Sequence, residues 1–306
     1  MIGADFPFVQ NYSGACPGCR YVIPPLNEVS AEYFHRGFLT CSRCGLSLDL
    51  WRTTLERLTQ RLPFVFAIGA LGPITTHLEF KLRANEGVEL DLTQYGIPES
   101  STVLGVIYNA RGGNCFPIET HGNMPRRRFI GTKAYLHGLQ MRTANGLPIL
   151  EEYEGKNITA AVVWVPVADS EVPWLYLVDA FEALSVGKLS QAIVPAHAAA
   201  EIAINPVVRQ MLLRHAAREN IARVLKQELT FSSILNVVLP VLCALVAAKP
   251  LSDEIRAELN TLRKLRNEFV HEGVVPTEVN EEQIRRLLCA AVFGFEYAKY
   301  LQKFPG

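Results

Sequence analysis

The spacing of hydrophobic positions changes along the chain from a helical period to a strand period and back. Residues 53–62 (TTLERLTQRL) carry apolar side chains at helical spacing and stop at Pro63, which predicts a short amphipathic helix. Residues 76–83 (THLEFKLR) then alternate strictly: Leu78, Phe80 and Leu82 fall on one face and His77, Glu79, Lys81 and Arg83 on the other. Val88, Leu90 and Leu92 repeat that alternation after a turn at Glu86-Gly87, and residues 103–108 and 158–165 add further strand-like runs, with another turn at Gly112-Gly113. Short alternating strands punctuated by glycine and proline predict an antiparallel sandwich or barrel.

From about residue 174 the pattern becomes helical. Helices are predicted over residues 174–189, 194–219, 231–248, 253–272 and 281–302. Pro206 is expected to kink or divide the second of these. Ser252 is the expected N-cap of the 253–272 helix, Asp253 and Glu254 place negative charge in its first turn, and Gly273 stops it. Asn280 is the expected cap of the last helix. Long helices joined by short connections predict an all-α bundle.

One segment invites a different reading. Residues 234–248 (ILNVVLPVLCALVAA) are almost wholly apolar. The run is shorter than the roughly 20 residues of a membrane span and carries Asn236 and Pro240, so a kinked, buried core helix is expected in place of a membrane crossing.

Composition narrows the class without choosing a function. The chain has 306 residues, 49% hydrophobic and 20% charged, with formal net charge zero. That is globular, and any nucleic-acid contact must come from a local patch. The densest basic run is Arg126–Arg128 after Pro125, either a solvated loop or a phosphate-contacting one. The N-terminus lacks a cationic segment followed by an apolar run, so no secretory signal is read there and a cytoplasmic location is expected. His77, His121 and His137 stand alone and are read as structural or solvated. Cys115, Cys243 and Cys289 are read as ordinary buried thiols.

Four cysteines carry a sharper signal. Cys16-Pro-Gly-Cys19 and Cys41-Ser-Arg-Cys44 are two CxxC pairs about 20 residues apart, the spacing of a zinc site. Each pair forms a knuckle, Gly18 and Gly45 supply tight backbone, and the four thiolates close a tetrahedral Zn2+ site with no position for water. The stretch resembles a zinc ribbon. Its zinc is either a staple for a small module or part of a surface that contacts nucleic acid or protein.

The remaining chemistry sits on the 253–272 helix, in Arg266-Asn267-Glu268-Phe269-Val270-His271. A later helix of a C-terminal bundle that carries an arginine, an adjoining asparagine and a histidine four residues on resembles the HEPN superfamily over about residues 175–306. An arginine and a histidine separated by four to six residues is a cheap pattern, since Arg209 and His215 also fit it. That pair has Gln210 after the arginine and lies in the first half of the bundle. The resemblance implies a metal-independent endoribonuclease that acts as a homodimer, with Arg266, Asn267 and His271 catalytic and a 2′,3′-cyclic phosphate product. It also implies a toxin or antiviral defence role, with room for an antitoxin or regulatory partner. Arginine suits the phosphate and histidine the proton transfers. Five residues along a helix turn through about 500°, so Arg266 and His271 leave the axis roughly 140° apart while Asn267 and His271 share a face. Arg266 must reach round or serve a site shared with a second chain.

The expected architecture is multidomain α+β: a zinc ribbon over residues 1–52, an antiparallel β-rich middle domain over 53–172 and a HEPN-like helical bundle over 173–306. The alternative is a non-catalytic nucleic-acid or protein binding module in which the bundle only dimerises.

Overall fold

The computed structural model describes residues 15–24, 26–59, 74–82, 88–110, 115–117, 129–130, 132–136, 141–143, 156–166, 172–185, 187–214, 219, 230–273 and 279–304. The Pro125–Arg128 run, His121, His137, His215 and the Gly112-Gly113 turn lie outside the described residues. The chain divides into two compact units, one drawn from Met1–Leu62 and Val172–Gly306 and the other from Pro73–Glu171.

The first unit begins with the two cysteine knuckles. Between them runs a helix that the spacing of apolar residues does not announce, α1 (Leu26–Arg36), followed by the two-residue strands β1 (Leu39–Thr40) and β2 (Ser47–Leu48). These pair antiparallel, Leu39 opposite Leu48. Leu46, Leu48 and Leu50 alternate, the pattern of a strand, yet they yield only a short one. Leu50 already opens α2 (Leu50–Thr59), which starts three residues earlier than its amphipathic pattern suggests, with the Asp49 carboxylate accepting from the Arg52 N–H at its first turn.

Among its described residues the second unit holds small antiparallel sheets and one 3-10 turn, Leu92–Tyr95. β3 (Ile74–Leu82), β5 (Thr102–Ala110) and β10 (Lys156–Val165) form one, with β10 in the centre. Ala160 lies opposite both Leu78 and Tyr108, and a bulge between Val163 and Trp164 shifts the register on the β5 side. The Trp164 indole donates to Thr76 Oγ1 at 2.9 Å. β4 (Val88–Asp91), β7 (Phe129–Ile130) and β8 (Lys133–Leu136) form a second sheet, and β6 (Cys115–Pro117) and β9 (Met141–Thr143) a third. Each of the strand-like runs named above meets one of these strands, though Leu92 already opens the 3-10 turn and Arg83 lies outside the described residues.

The helical region returns to the first unit. It comprises α3 (Val172–Ser185), α4 (Leu189–Leu212), a single turn Phe231–Ser233, a π-helical turn Ile234–Val238, α5 (Leu239–Leu245), α6 (Asp253–Glu272) and α7 (Glu281–Gln302). α4 passes through both Pro195 and Pro206 without dividing. The apolar segment is broken instead by its π turn just before Pro240, whose ring cannot sit against the carbonyl four residues back. Asn236, the polar residue within it, exchanges hydrogen bonds with Asn260 of α6. No helix among the described residues is long and apolar enough to cross a membrane. Ser252 and Asn280 cap α6 and α7 by accepting from the N–H groups of Ile255 and Gln283, and Gly273 ends α6 at φ +71°.

α7 is the axis of this unit. It packs against α3, α4 and α6 on one side and against α1 and α2 on the other. Fifteen of its residues are buried, which is why it shows so little polar face. Phe293, wholly buried, takes the edges of Tyr33, Phe34 and Trp51 at centroid distances of 5.9, 6.2 and 5.3 Å. The buried Glu296 accepts from Ser30 Oγ at 3.2 Å and from the Lys299 ammonium at 3.0 Å, and burial raises its pKa. Arg286 ties α7 to Glu254 and Glu258 of α6. The N-terminal helices thus share one core with the bundle. Phe293→Ala is expected to destabilise this unit by about 3–5 kcal/mol in a denaturant titration. A loss below about 1 kcal/mol would mean that the α1, α2 and α7 contacts do not form one core.

Candidate functional site

The cysteine knuckles are built alike. In the first, the Cys16 N–H donates to the Tyr21 carbonyl and the Arg20 N–H to the Cys16 carbonyl, both at 2.8 Å. In the second, the Cys41 N–H donates to the Leu46 carbonyl and the Gly45 N–H to the Cys41 carbonyl, both at 2.9 Å. The residue after each second cysteine takes the left-handed conformation, Gly45 at φ +74° and Arg20 at φ +60°. Gly18 sits in a tight place: a Cβ there would stand 3.3 Å from Leu46 Cδ2, which would have to give by a few tenths of an ångström, and 3.6 Å from Cys44 Sγ, an ordinary contact.

All four sulfurs lie within 4.8 Å of one another, Cys16 and Cys44 at 3.6 Å and Cys19 and Cys41 at 3.6 Å. These separations are far beyond a disulfide and close to the roughly 3.8 Å edge of a tetrahedron with 2.3 Å metal–sulfur bonds. The N–H groups of Cys44 and Arg43 point at the Cys41 sulfur and lower its pKa to about 6, favouring the thiolate that binds metal. The cluster can hold one metal ion.

The second cluster lies on α4 and α6. Arg266 and Asn267 are both half-buried, and Arg266 Nη1 donates to Asn267 Oδ1 at 3.0 Å. His271 stands in the last turn of α6, exposed, with no hydrogen bond or ion pair to a described residue. The structure joins Arg266 to Asn267, and no hydrogen bond or ion pair among the described residues ties His271 to either. Arg263 is also half-buried, and its Nε is buried without a hydrogen-bond partner. Neither Arg263 nor Arg266 forms an ion pair with a described residue. By contrast, Arg256, Lys264, Arg285 and Arg286 each hold a carboxylate.

What faces these arginines is a histidine that sequence inspection passes over. His197 of α4 is buried, its Nε2 lacks a partner, and its ring meets the edge of Phe231 at 5.1 Å. Burial, and then the charges of Arg266 and Arg263, push its pKa down to about 4. It is neutral at physiological pH, so the 3.6 Å approach of its Nδ1 to Glu201 is no ion pair there. The His197 and Glu201 spacing of four is the one sequence signal that points to the pair.

This has a consequence for stability. The unfolded chain takes up a proton at His197 near pH 6.5 and the folded chain only near 4, so the folded form loses stability as pH falls through that window, by on the order of 3 kcal/mol. Glu296, with its raised pKa, works in the opposite sense: its contribution is present at acid pH and is lost as pH rises. Melting curves between pH 4 and 7 should therefore fall more steeply toward acid in Glu296→Gln than in the parent. An identical slope would remove Glu296 from the balance.

The chain matches no protein-family model, no curated protein and no solved structure.

Proposed function

We propose that this protein is a metal-independent endoribonuclease of the HEPN type, with its catalytic groups on α6. The observation that carries this reading is the pair of half-buried guanidiniums, Arg263 and Arg266, that face a neutral histidine and lack a carboxylate partner. A partly buried positive charge without a protein counter-ion is stabilised when an anion arrives, and a phosphodiester matches the two-point geometry of arginine. His271 waits nearby on the same helix, exposed and uncommitted.

In the proposed reaction the RNA 2′-oxygen attacks the adjacent phosphorus, the bond to the 5′-oxygen breaks, and a 2′,3′-cyclic phosphate and a 5′-hydroxyl result. One proton must leave the 2′-oxygen and one must reach the 5′-oxygen. Each chain supplies one His271, so a pair of chains supplies both the base and the acid. Arg266 holds the phosphate and stabilises its growing charge, and its bond to Asn267 fixes the guanidinium plane. The exposed stripe Val237, Val241 and Leu245 is an apolar face for a homodimer contact. The four cysteines act as a closed structural zinc site, and the β-rich unit positions RNA or senses a trigger. A toxin or antiviral defence role in the cytoplasm, with an antitoxin-like partner, belongs to the same reading.

The test is digestion of RNA by purified protein with and without EDTA. Cleavage should persist in EDTA, leave cyclic phosphate ends and fail on a 2′-deoxy substrate. Arg266→Ala should reduce it by about 10²–10³-fold. Undiminished cleavage by that variant would sink the proposal. A second reading rests on Tyr21, Phe38 and Leu46, which are large apolar residues exposed in the cysteine module. It makes the chain a non-catalytic binding module. RNA or protein retained without cleavage, and released on deleting residues 1–50, would favour it.

A further inference from the structure

Beside the arginine cluster lies a cleft that the proposed chemistry does not use. It is formed by α4 and the Phe231 turn and encloses about 480 Å³. That volume suits a small ligand. Phe231, Ile234 and Leu213 give it an apolar wall, and Glu201, Asn205 and Gln210 bring polar groups to it, with Arg209 beside Gln210. The cleft shares two of its lining residues with the surroundings of His197. Phe231 lines it and also touches the His197 ring, and Glu201 lines it and also approaches His197 Nδ1. α6, which carries Arg263 and Arg266, packs against both α4 and the Phe231 turn.

The polar lining is unbalanced. The Asn205 Oδ1 atom is buried and has no hydrogen-bond partner among the described residues. Leaving such an acceptor dry costs about 1–3 kcal/mol, so a donor is missing from this place. Glu201 adds two more acceptor oxygens, since its side chain is 41% exposed and its approach to the neutral His197 is longer than a good hydrogen bond. An occupant of this cleft must be flat and apolar on its faces and must offer several donors along one edge.

We infer that this cleft is a nucleobase subsite, built for guanine, that holds one RNA nucleotide beside the phosphate bound by Arg263 and Arg266. Among the four RNA bases, guanine alone presents two adjacent donors on its pairing edge, the N1–H and the N2 amine. Glu201 and Asn205 accept them, the Gln210 amide serves O6, and Arg209 takes a flanking phosphate. Adenine and cytosine place a ring acceptor beside their amine, where it would meet the Glu201 carboxylate. Uracil has one donor between two acceptors. Single-stranded RNA is read in this way, through splayed bases held by stacking and edge contacts.

The inference rests on the nuclease reading for its phosphate site but not for the base preference. The experiment therefore uses binding by the intact His271→Ala protein, where cleavage does not interfere. Titrations with GMP, IMP, AMP and UMP should rank GMP first by at least about tenfold, and IMP, which lacks the N2 amine, should fall behind it. Glu201→Gln and Asn205→Leu should each erase the preference, and Arg209→Ala, at an exposed position, should weaken all four nucleotides alike. Equal binding of GMP and AMP, or a preference untouched by Glu201→Gln in a folded variant, overturns the guanine subsite. Guanine-selective binding by a parent protein that cuts no RNA keeps the subsite and removes the nuclease. Cleavage indifferent to guanine position does the reverse.

Discussion

His271→Ala is expected to cut any RNA cleavage by at least about 10²-fold and to leave the melting temperature where it was. Both halves follow from the position of the side chain. It is exposed at the end of α6 and bonds to no described residue, so its removal costs the fold no more than about 0.5 kcal/mol. Proton transfer by a positioned group accounts for about 10²–10⁴-fold in rate, and losing both base and acid in a dimer lies at the upper end of that range. The proposed reaction draws its base and its acid from the two His271 side chains of a dimer. Mixing equal amounts of parent and His271→Ala, in proteins shown to exchange subunits, should therefore leave about a quarter of the activity of the same total of parental dimers, since only a quarter of the dimers keep both histidines. Activity that falls only to half would place base and acid on one chain.

The second large effect is expected from removing the metal. A structural four-thiolate zinc site is worth about 10–16 kcal/mol in apparent binding energy at neutral pH. Here the knuckles flank α1 and precede α2, and these helices cover Phe293 and Tyr297 of α7. Metal loss should therefore not remain local. Titration with an organomercurial should release one zinc per chain, and the whole helical unit should then melt at least about 10 °C lower. Cys41→Ser should behave like the stripped protein. An unchanged melting curve after complete release would show that α1 and α2 dock without their knuckles.

Much of this was readable from the chain alone, for physical reasons that differ by element. The strand β3 announces itself by alternation, and β10 by a run of β-branched and aromatic residues, Val162 to Val165, buried on both faces at the centre of its sheet. The caps Ser252, Asn280 and Gly273 are legible because helix ends demand particular residue types. The thiolate cluster follows from spacing, as two turns suffice to aim four sulfurs. α1 was hidden because its buried positions, Leu26, Ser30, Tyr33 and Phe34, mix a hydroxyl with aromatics. Gly18 also leaves room for Leu46 across the cluster, a contact that no spacing rule announces. His197 was invisible because its partners, Arg263 and Arg266, come from a helix more than sixty positions away, and distance along the chain carries no periodic signal.

The same separation governs how the protein is made. Ser30 and Glu296 are hydrogen-bonded across 266 positions of sequence. At about 5–20 residues per second on a ribosome, the surface that covers Phe34 and Trp51 emerges roughly 15–50 seconds after they do. During that interval the N-terminal helices carry an uncovered aromatic face. Metal capture is the one step that can order them early. A transcript cut short before α7 therefore yields a chain with an exposed sticky end, a natural client for chaperones and proteases.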